Sequence, residues 1–378
     1  MKKLFLIMGR NIIIANLLLL NLSACGLQMA NPELSRQGMG TTINNDSIRI
    51  GEAISYKNLQ VFPVLSRSNE NEMNYMVLSD AIQQQLVIVK ETGSVNQLQI
   101  DNLSDSYIFI LAGDIVKGGR QDRTMGNDVI VAPKARNVPL ESYCVESGRW
   151  QQRGEEEAGH FSDNTKTLTS KDLKLASRYQ KDQSEVWQKV SEEQEKLNRG
   201  LGSIKGEIVE VKSTESETSL QLTLENKELE DIVKEYKNNL TGLYHLSEEA
   251  VGFAYAINGK LYGIDIYNDS ILFNSLKHKL FDAVIVEAIS EFESGLNFTG
   301  ISADSVVNFL NSFDHAEGMR TLVNKHTSVL TYETEKAVGF ETRLADTDEK
   351  WVRKNYLVKG EKAVQGGYIF TPEQRMSE

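Results

Sequence analysis

The sequence predicts an α+β fold: a β-rich, sandwich-like N-terminal part, a helical middle carrying a β-hairpin, and C-terminal strands. Three observations carry the prediction. Short apolar or alternating runs bounded by Gly, Asn, Asp and Ser fill residues 48–153. The i, i+3, i+4 spacing of amphipathic helices is confined to residues between about 185 and 311. Three strand-like runs then close the chain before residue 360. We see no internal repeat and no long low-complexity segment. The predicted divisions are a β-rich subdomain at 48–153, a helical or α+β subdomain at 154–300, a helix with C-terminal strands at 301–360, and a loose tail at 361–378.

In order along the chain, Leu59 to Leu65 reads as extended, and Ser79 as the N-cap of a short helix with Ala81, Ile82 and Leu86. Val87 to Lys90 returns to strand. "QLQIDNLSDSYIFILAGD" reads as two strands around the turn-rich Asn102 to Ser106, a hairpin signal, and "NDVIVAPKARNVPLESYCV" repeats the pattern with Pro133 and Pro139 at strand ends or edges. Residues 154–171 are polar without a period and read as a surface loop. Glu185 to Asn198 is a predicted helix. "KELEDIVKEYKNNL" is the clearest one, with Leu229, Ile232, Val233, Tyr236 and Leu240 on one face.

"AVGFAYAINGKLYGIDIY" is a predicted hairpin at 250–267, because Asn258-Gly259 tolerates the positive φ of a type I′ turn. A long helix from about Ile271 to Phe292 carries a stripe of Phe273, Leu276, Leu280, Val284 and Ala288, and Ser302 is a good N-cap for the next helix. Val329 to Tyr332, Val338 to Leu344 and Trp351 to Val358 are the closing strands.

The N-terminus reads as an export signal. Lys2, Lys3 and Arg10 precede an apolar stretch from Ile12 to Leu22 that is too short and too polar to span a membrane, which takes about 20 apolar residues. It ends in Leu22-Ser23-Ala24-Cys25, which resembles the lipobox of bacterial lipoproteins. The resemblance implies a signal peptide at 1–24, a diacylglycerol on Cys25, and anchoring to the cell envelope. Gly26, in place of aspartate, favours the outer membrane, facing the periplasm. Residues 25–47 read as a Gly-, Asn- and Ser-rich tether.

Cleavage would move the net charge from −12 to −15, because residues 1–24 hold three positive charges and no acid. This argues against a nucleic-acid binder. With Cys25 lipidated, Cys144 is the only thiol left, so no intrachain disulfide forms.

Familiar catalytic motifs are absent. Gly113 to Gly118 opens like a phosphate loop, but Gly119 and Arg120 stand where Lys and Ser or Thr are required. Gly200-x-Gly202-x-x-x-Gly206 is one residue too long for a dinucleotide fingerprint and follows a helix. None of the five histidines has a His or Cys partner two to four residues away, so no metal and no cofactor is expected. There is no G-x-S-x-G.

One stretch remains. From Asp114 to Arg153, seven Lys or Arg residues face five acids, a positive island in an acidic chain. Arg grips carboxylate or phosphate in a bidentate fashion, and glycines at 113, 118 and 119 let backbone N–H groups converge. The alternative is that these charges pair with one another across strands. Cys144 alternates along its strand with Val138, Leu140 and Ser142, which suggests a buried thiol. As a nucleophile it would need a nearby base and a depressed pKa, which His160 and Arg149 could provide.

"GDIVKGGRQDR", "CVESGRW", "EVW" and "NGKLYGIDIY" together resemble the ARG and Rhodanese-Phosphatase-superfamily-associated protein domain family, in which ARG stands for ADP-ribosylglycohydrolase. The resemblance runs from about Ile48 to Val358. It places Asp114, Gly118, Gln121, Arg123, Cys144, Glu146, Arg149 and Trp150 in the family's motifs, and the family's company implies a ligand related to ADP-ribose.

The resulting expectation is a lipid-anchored binding module. Its partners are the membrane, through the lipid, and an anionic small molecule or a protein, held by Asp114, Gly118, Gln121, Arg123, Glu146, Arg149 and Trp150. The alternatives are a hydrolase or transferase with Asp114 or Glu146 as acid or base, with Cys144 as a further catalytic candidate, and a structural envelope protein in which Glu146 and Arg149 only pin a strand.

Overall fold

The computed structural model describes residues 48–67, 73–154, 156, 159–163, 167–346 and 350–360. The expected signal peptide at 1–24, Cys25, the expected tether at 25–47 and the tail at 361–378 lie outside the described residues. The fold is α+β, with three sheets and, apart from the short helix Leu78–Gln83, the described helices gathered between residues 171 and 311.

The largest sheet has nine strands, all antiparallel. Its order is Ile48–Ile50, Leu59–Ser66, Ala250–Ile257, Lys260–Tyr267, Trp351–Val358, Ala337–Leu344, Thr327–Glu333 and Gly318–Asn324, with Ile54–Tyr56 also paired to Leu59–Ser66. Strands from both ends of the chain thus meet on the central hairpin. Asn258 and Gly259 take φ of 52° and 71°, as the type I′ turn requires.

Every residue of Ala250–Ile257 is buried. Both faces of the sheet are covered there. Phe253 and Tyr255 pack with helix Ser270–Ser290, while Val251 and Ala254 pack with Val306, Val307 and Leu310 of helix Ala303–Asn311.

The N-terminal β-rich part is built from two further sheets. Six antiparallel strands run in the order Phe161–Asp163, Ile115–Gly118, Arg123–Met125, Val138–Cys144, Gln97–Asn102, Val87–Ser94, and three more in the order Val129–Val131, Tyr107–Ile110, Tyr75–Val77. They share a core of Val89, Leu98, Ile100, Ile108, Ile110, Val129 and Leu140.

The two expected hairpins differ in one respect: their strands exist but sit in different sheets. Asn102 is the reason at the first corner. It is fully buried, and its Nδ2 donates to the carbonyls of Ser106 and Ala132 at 2.8 and 2.9 Å, while its backbone N–H donates to Ala135. Those bonds turn the chain out of one sheet and into the other. Ser79 also differs: helix Leu78–Gln83 begins one residue before it and has no side-chain cap.

Asp182, Asn226, Asp269 and Ser302 do cap helices Gln183–Lys205, Lys227–Asn239, Ser270–Ser290 and Ala303–Asn311. Helix Ser270–Ser290 was expected to bury one stripe but buries fifteen of its residues. It runs through the centre, against Gln183–Lys205, Lys227–Asn239 and strand Ala250–Ile257, so it has little solvent face. A Cβ on Gly200 would stand 1.8 Å from the carbonyl oxygen of Ile289, so only glycine permits this close helix contact.

Candidate functional site

Strands Ile115–Gly118 and Arg123–Met125 are antiparallel neighbours joined by a tight turn at 119–122, with Gly118 and Gly119 at positive φ. In the adjoining register Cys144 lies opposite Arg123. The chain leaving Cys144 then folds over the turn. Val145 donates its N–H to Asp122 O at 3.0 Å, and Gln121 Nε2 donates to Glu146 O at 2.8 Å.

This fold-over buries Asp122 and Glu146 completely, and two arginines close on them. Arg149 Nε and Nη2 lie 2.7 and 2.6 Å from Glu146 Oε2. Arg153 Nη1 lies 3.0 Å from Asp122 Oδ2 and 3.4 Å from Glu146 Oε1, and its Nη2 donates to Asp122 Oδ1 at 3.1 Å. Ser219 donates to Asp122 Oδ2 at 3.0 Å while capping helix Leu220–Leu224, and Gly118 N–H donates to Asp122 Oδ1 at 3.0 Å. Burial alone would raise the Glu146 carboxyl. Hydrogen bonds from Arg149 and Ser216 and the charges of Arg149 and Arg153 outweigh it and hold Glu146 below its ordinary value.

Gly118, Gln121, Arg123, Glu146, Arg149 and Trp150 are therefore brought together. Asp114 is not. Its Oδ2 accepts from Leu111 N–H at 2.9 Å and its Oδ1 pairs with Lys279 of the central helix at 2.8 Å.

Arg123 is the unusual member. It has no solvent exposure, and its Nη1 makes only long bonds to Gln121 O and Oε1, at 3.4 and 3.3 Å. Glu91 Oε2 is 3.7 Å from Nη2, and neither Nε nor Nη2 has a hydrogen-bond partner. Trp150 lies above, 45 % exposed, its ring 5.8 Å from the Arg123 guanidinium and 5.5 Å from that of exposed Arg120. Both distances are within cation–π range.

Cys144 is fully buried. Burial, with the charges of Glu91 and Glu146, pushes its thiol up to about 11 against the opposing pull of Arg123. Its Sγ faces Val95 O at 3.9 Å, and its backbone is clamped by Gln183, which accepts from Cys144 N–H at 2.8 Å and donates to Cys144 O at 2.9 Å. His160, the candidate base, is exposed on another strand edge. The thiol is expected to resist iodoacetamide in the native protein at pH 8, with labelling at least 100-fold slower than in denaturant; comparable rates would contradict this.

Sequence reasoning missed part of the cluster. Asp122 and Arg153 stood inside the quoted motif and the charge island, whereas Ser219 joins from 97 residues away with no local signal.

A second buried network was not anticipated. Asp128 accepts from Arg353 Nη1 at 2.7 Å and Arg178 Nη2 at 2.8 Å, and Asp265 grips Arg353 Nε and Nη2 at 2.7 and 2.6 Å. Among the described residues no three His, Cys, Asp or Glu side chains converge as metal ligands.

Residues 47–357 match the family model of the ARG and Rhodanese-Phosphatase-superfamily-associated Protein domain. The chain belongs to that family. The match spans all three sheets and both charge networks, so the ion-paired cluster and the Trp150 face belong to the family domain itself. No curated protein and no solved structure matches the chain.

Proposed function

We propose that this member of the family is a lipid-anchored protein of the bacterial envelope, at the outer membrane, that binds an anionic small molecule with an aromatic part, of the nucleotide or ADP-ribose kind. One observation carries the reading. A wholly buried guanidinium, Arg123, keeps two groups, Nε and Nη2, without a hydrogen bond, Glu91 pairing with it only at 3.7 Å, beneath an exposed indole that also holds Arg120. Buried polar groups are almost always satisfied, so an anion entering beside Trp150 would complete Arg123. Trp150 would carry the ligand's ring and Arg120 its charge. The ion pairs of Asp122, Glu146, Arg149 and Arg153 support the site by fixing the loop that carries Trp150. Export and the lipid anchor rest on the pattern of residues 1–25 alone.

The acid–base alternative gains little support, because Glu146 is ionised, buried and held by two arginines, and Asp114 is tied to Lys279. A purely structural role is the stronger rival, since the same burial pins the loop.

A thermal-shift screen against ADP-ribose, AMP, a sugar phosphate and an acidic glycan separates the two. For wild type at about 100 times the Kd, the expected rise in Tm is about 5 °C. Arg120→Ala with Trp150→Ala, both exposed positions, should lose that rise and keep the unliganded Tm. No rise with any compound would leave the structural role.

A further inference from the structure

A cavity of about 510 Å³ opens at the Gly318–Asn324 edge of the nine-stranded sheet. Its volume falls in the range of small-molecule sites, about 300–1,000 Å³. Strands Gly318–Asn324, Thr327–Glu333 and Ala337–Leu344 form one wall. The other is a local departure from α geometry: Leu175–Gln180 winds as a π-helix, and Lys181 after it has φ 55°.

The departure matters for what faces the cavity. Arg178, Tyr179 and Lys181 all line it. In an unbroken α-helix those three positions would spread over roughly 160° of the surface. The wide turn and the left-handed residue gather them on one side, and such insertions recur at functional sites.

Arg178 is held rigidly, with its guanidinium 4.1 Å from the Phe340 ring, Nη2 on Asp128 and Nη1 on Asn355 at 3.3 Å. Its Nε is buried without a partner, and so is Thr321 Oγ1 on the opposite wall. Two residues of one cavity thus each keep an unsatisfied polar atom, a donor on one side and a hydroxyl on the other. The lining charges cancel: Arg178 and Lys181 against Glu317 and Glu333. Val329 and Phe340 add apolar surface.

A ligand that donates and accepts, carries no net charge and has apolar C–H faces meets all three conditions. We propose that this cavity is a second binding site, for a neutral polyhydroxy ligand of mono- or disaccharide size. Its hydroxyls take the Nε–H of Arg178 and bond Thr321 Oγ1, and its carbon face packs on Phe340 and Val329. The site shares no lining residue with the Arg123–Trp150 patch, so either proposal stands or falls without the other.

The test titrates glucose, N-acetylglucosamine and maltose into the whole protein by saturation-transfer NMR and calorimetry. At least one sugar should bind. Thr321→Val should weaken it at least 10-fold, Thr331→Phe, which fills the cavity, should abolish it, and Arg120→Ala should leave it unchanged. The unliganded Tm reports whether each variant is folded. Absence of binding by all three sugars overturns the proposal, as does binding that survives in folded Thr331→Phe.

Discussion

Asp128→Ala is expected to cost about 3–5 kcal/mol of folding free energy, because it strands the buried Arg178 and leaves the buried Arg353 to Asp265 alone. Asp128 has no exposure and accepts four bonds: from Arg353 and Arg178, from Ala112 N–H at 2.8 Å, and from Thr342 Oγ1 at 2.5 Å. Burial works against its charge, but the positive charges of Arg178 and Arg353 and the two further bonds prevail and hold the carboxyl well below its ordinary value. The four partners come from three separate parts of the chain, so this carboxylate ties the β-rich part, the π-helical turn and the C-terminal strands together. Urea unfolding of wild type and variant measures the loss. A difference below about 1 kcal/mol would mean that the two arginines find other partners.

Glu193 gives the second large effect, and it depends on pH. The residue is buried in helix Gln183–Lys205, with Oε1 unpartnered. Burial, followed by the nearby charge of Glu287, raises its carboxyl to about 8; Lys196 opposes this and Asp172 adds to it. The unfolded group titrates near 4.3. A folded value above the unfolded one means that the native state holds the proton longer. Its stabilising contribution is full below about pH 4.3, falls as pH rises through the interval, and is gone above about 8.

The full loss is roughly 3–5 kcal/mol at about 1.4 kcal/mol per pH unit. Glu193→Gln keeps the neutral shape at all pH values. Its stability relative to wild type should therefore rise between pH 5 and pH 9, read as a widening gap in Tm. A constant gap would show that Glu193 titrates normally.

Much of the fold was legible because its signals are local. Asn258-Gly259 dictates a turn by backbone conformation alone, and Leu229 with Tyr236 marks a buried helical face by spacing alone. The sheet assignments were not legible. Whether Gln97–Asn102 pairs with Tyr107–Ile110 depends on where Asn102 finds acceptors, and one of those, Ala132, lies 30 residues on. Strand Gly318–Asn324 was missed because its pattern, EGMRTLVN, has Met319, Arg320 and Leu322 exposed at a sheet edge and shows no alternation.

The candidate site follows the same division. Gln121, Arg123, Glu146, Arg149 and Trp150 could be named because they sit in two short motifs on neighbouring strands. Asp114 was grouped with them by sequence proximity, but its carboxylate takes Lys279, far along the chain, as its partner. Which donors of Arg123 remain unpartnered is a property of packing, and no residue pattern encodes it.

The measurement that bears most directly on the proposed ligand site is a titration of ADP-ribose followed by intrinsic fluorescence. Trp150, Trp187 and Trp351 are the only tryptophans, and Trp150 is exposed whereas the other two are half-buried. The account predicts a saturable change in emission in wild type that disappears in Trp150→Phe, weakens at least 10-fold in Arg120→Ala, and weakens with added salt. No saturable change with ADP-ribose, AMP or inorganic phosphate, in a protein that calorimetry also finds silent toward all three, would contradict it and leave the Arg123 cluster as a strut of the fold.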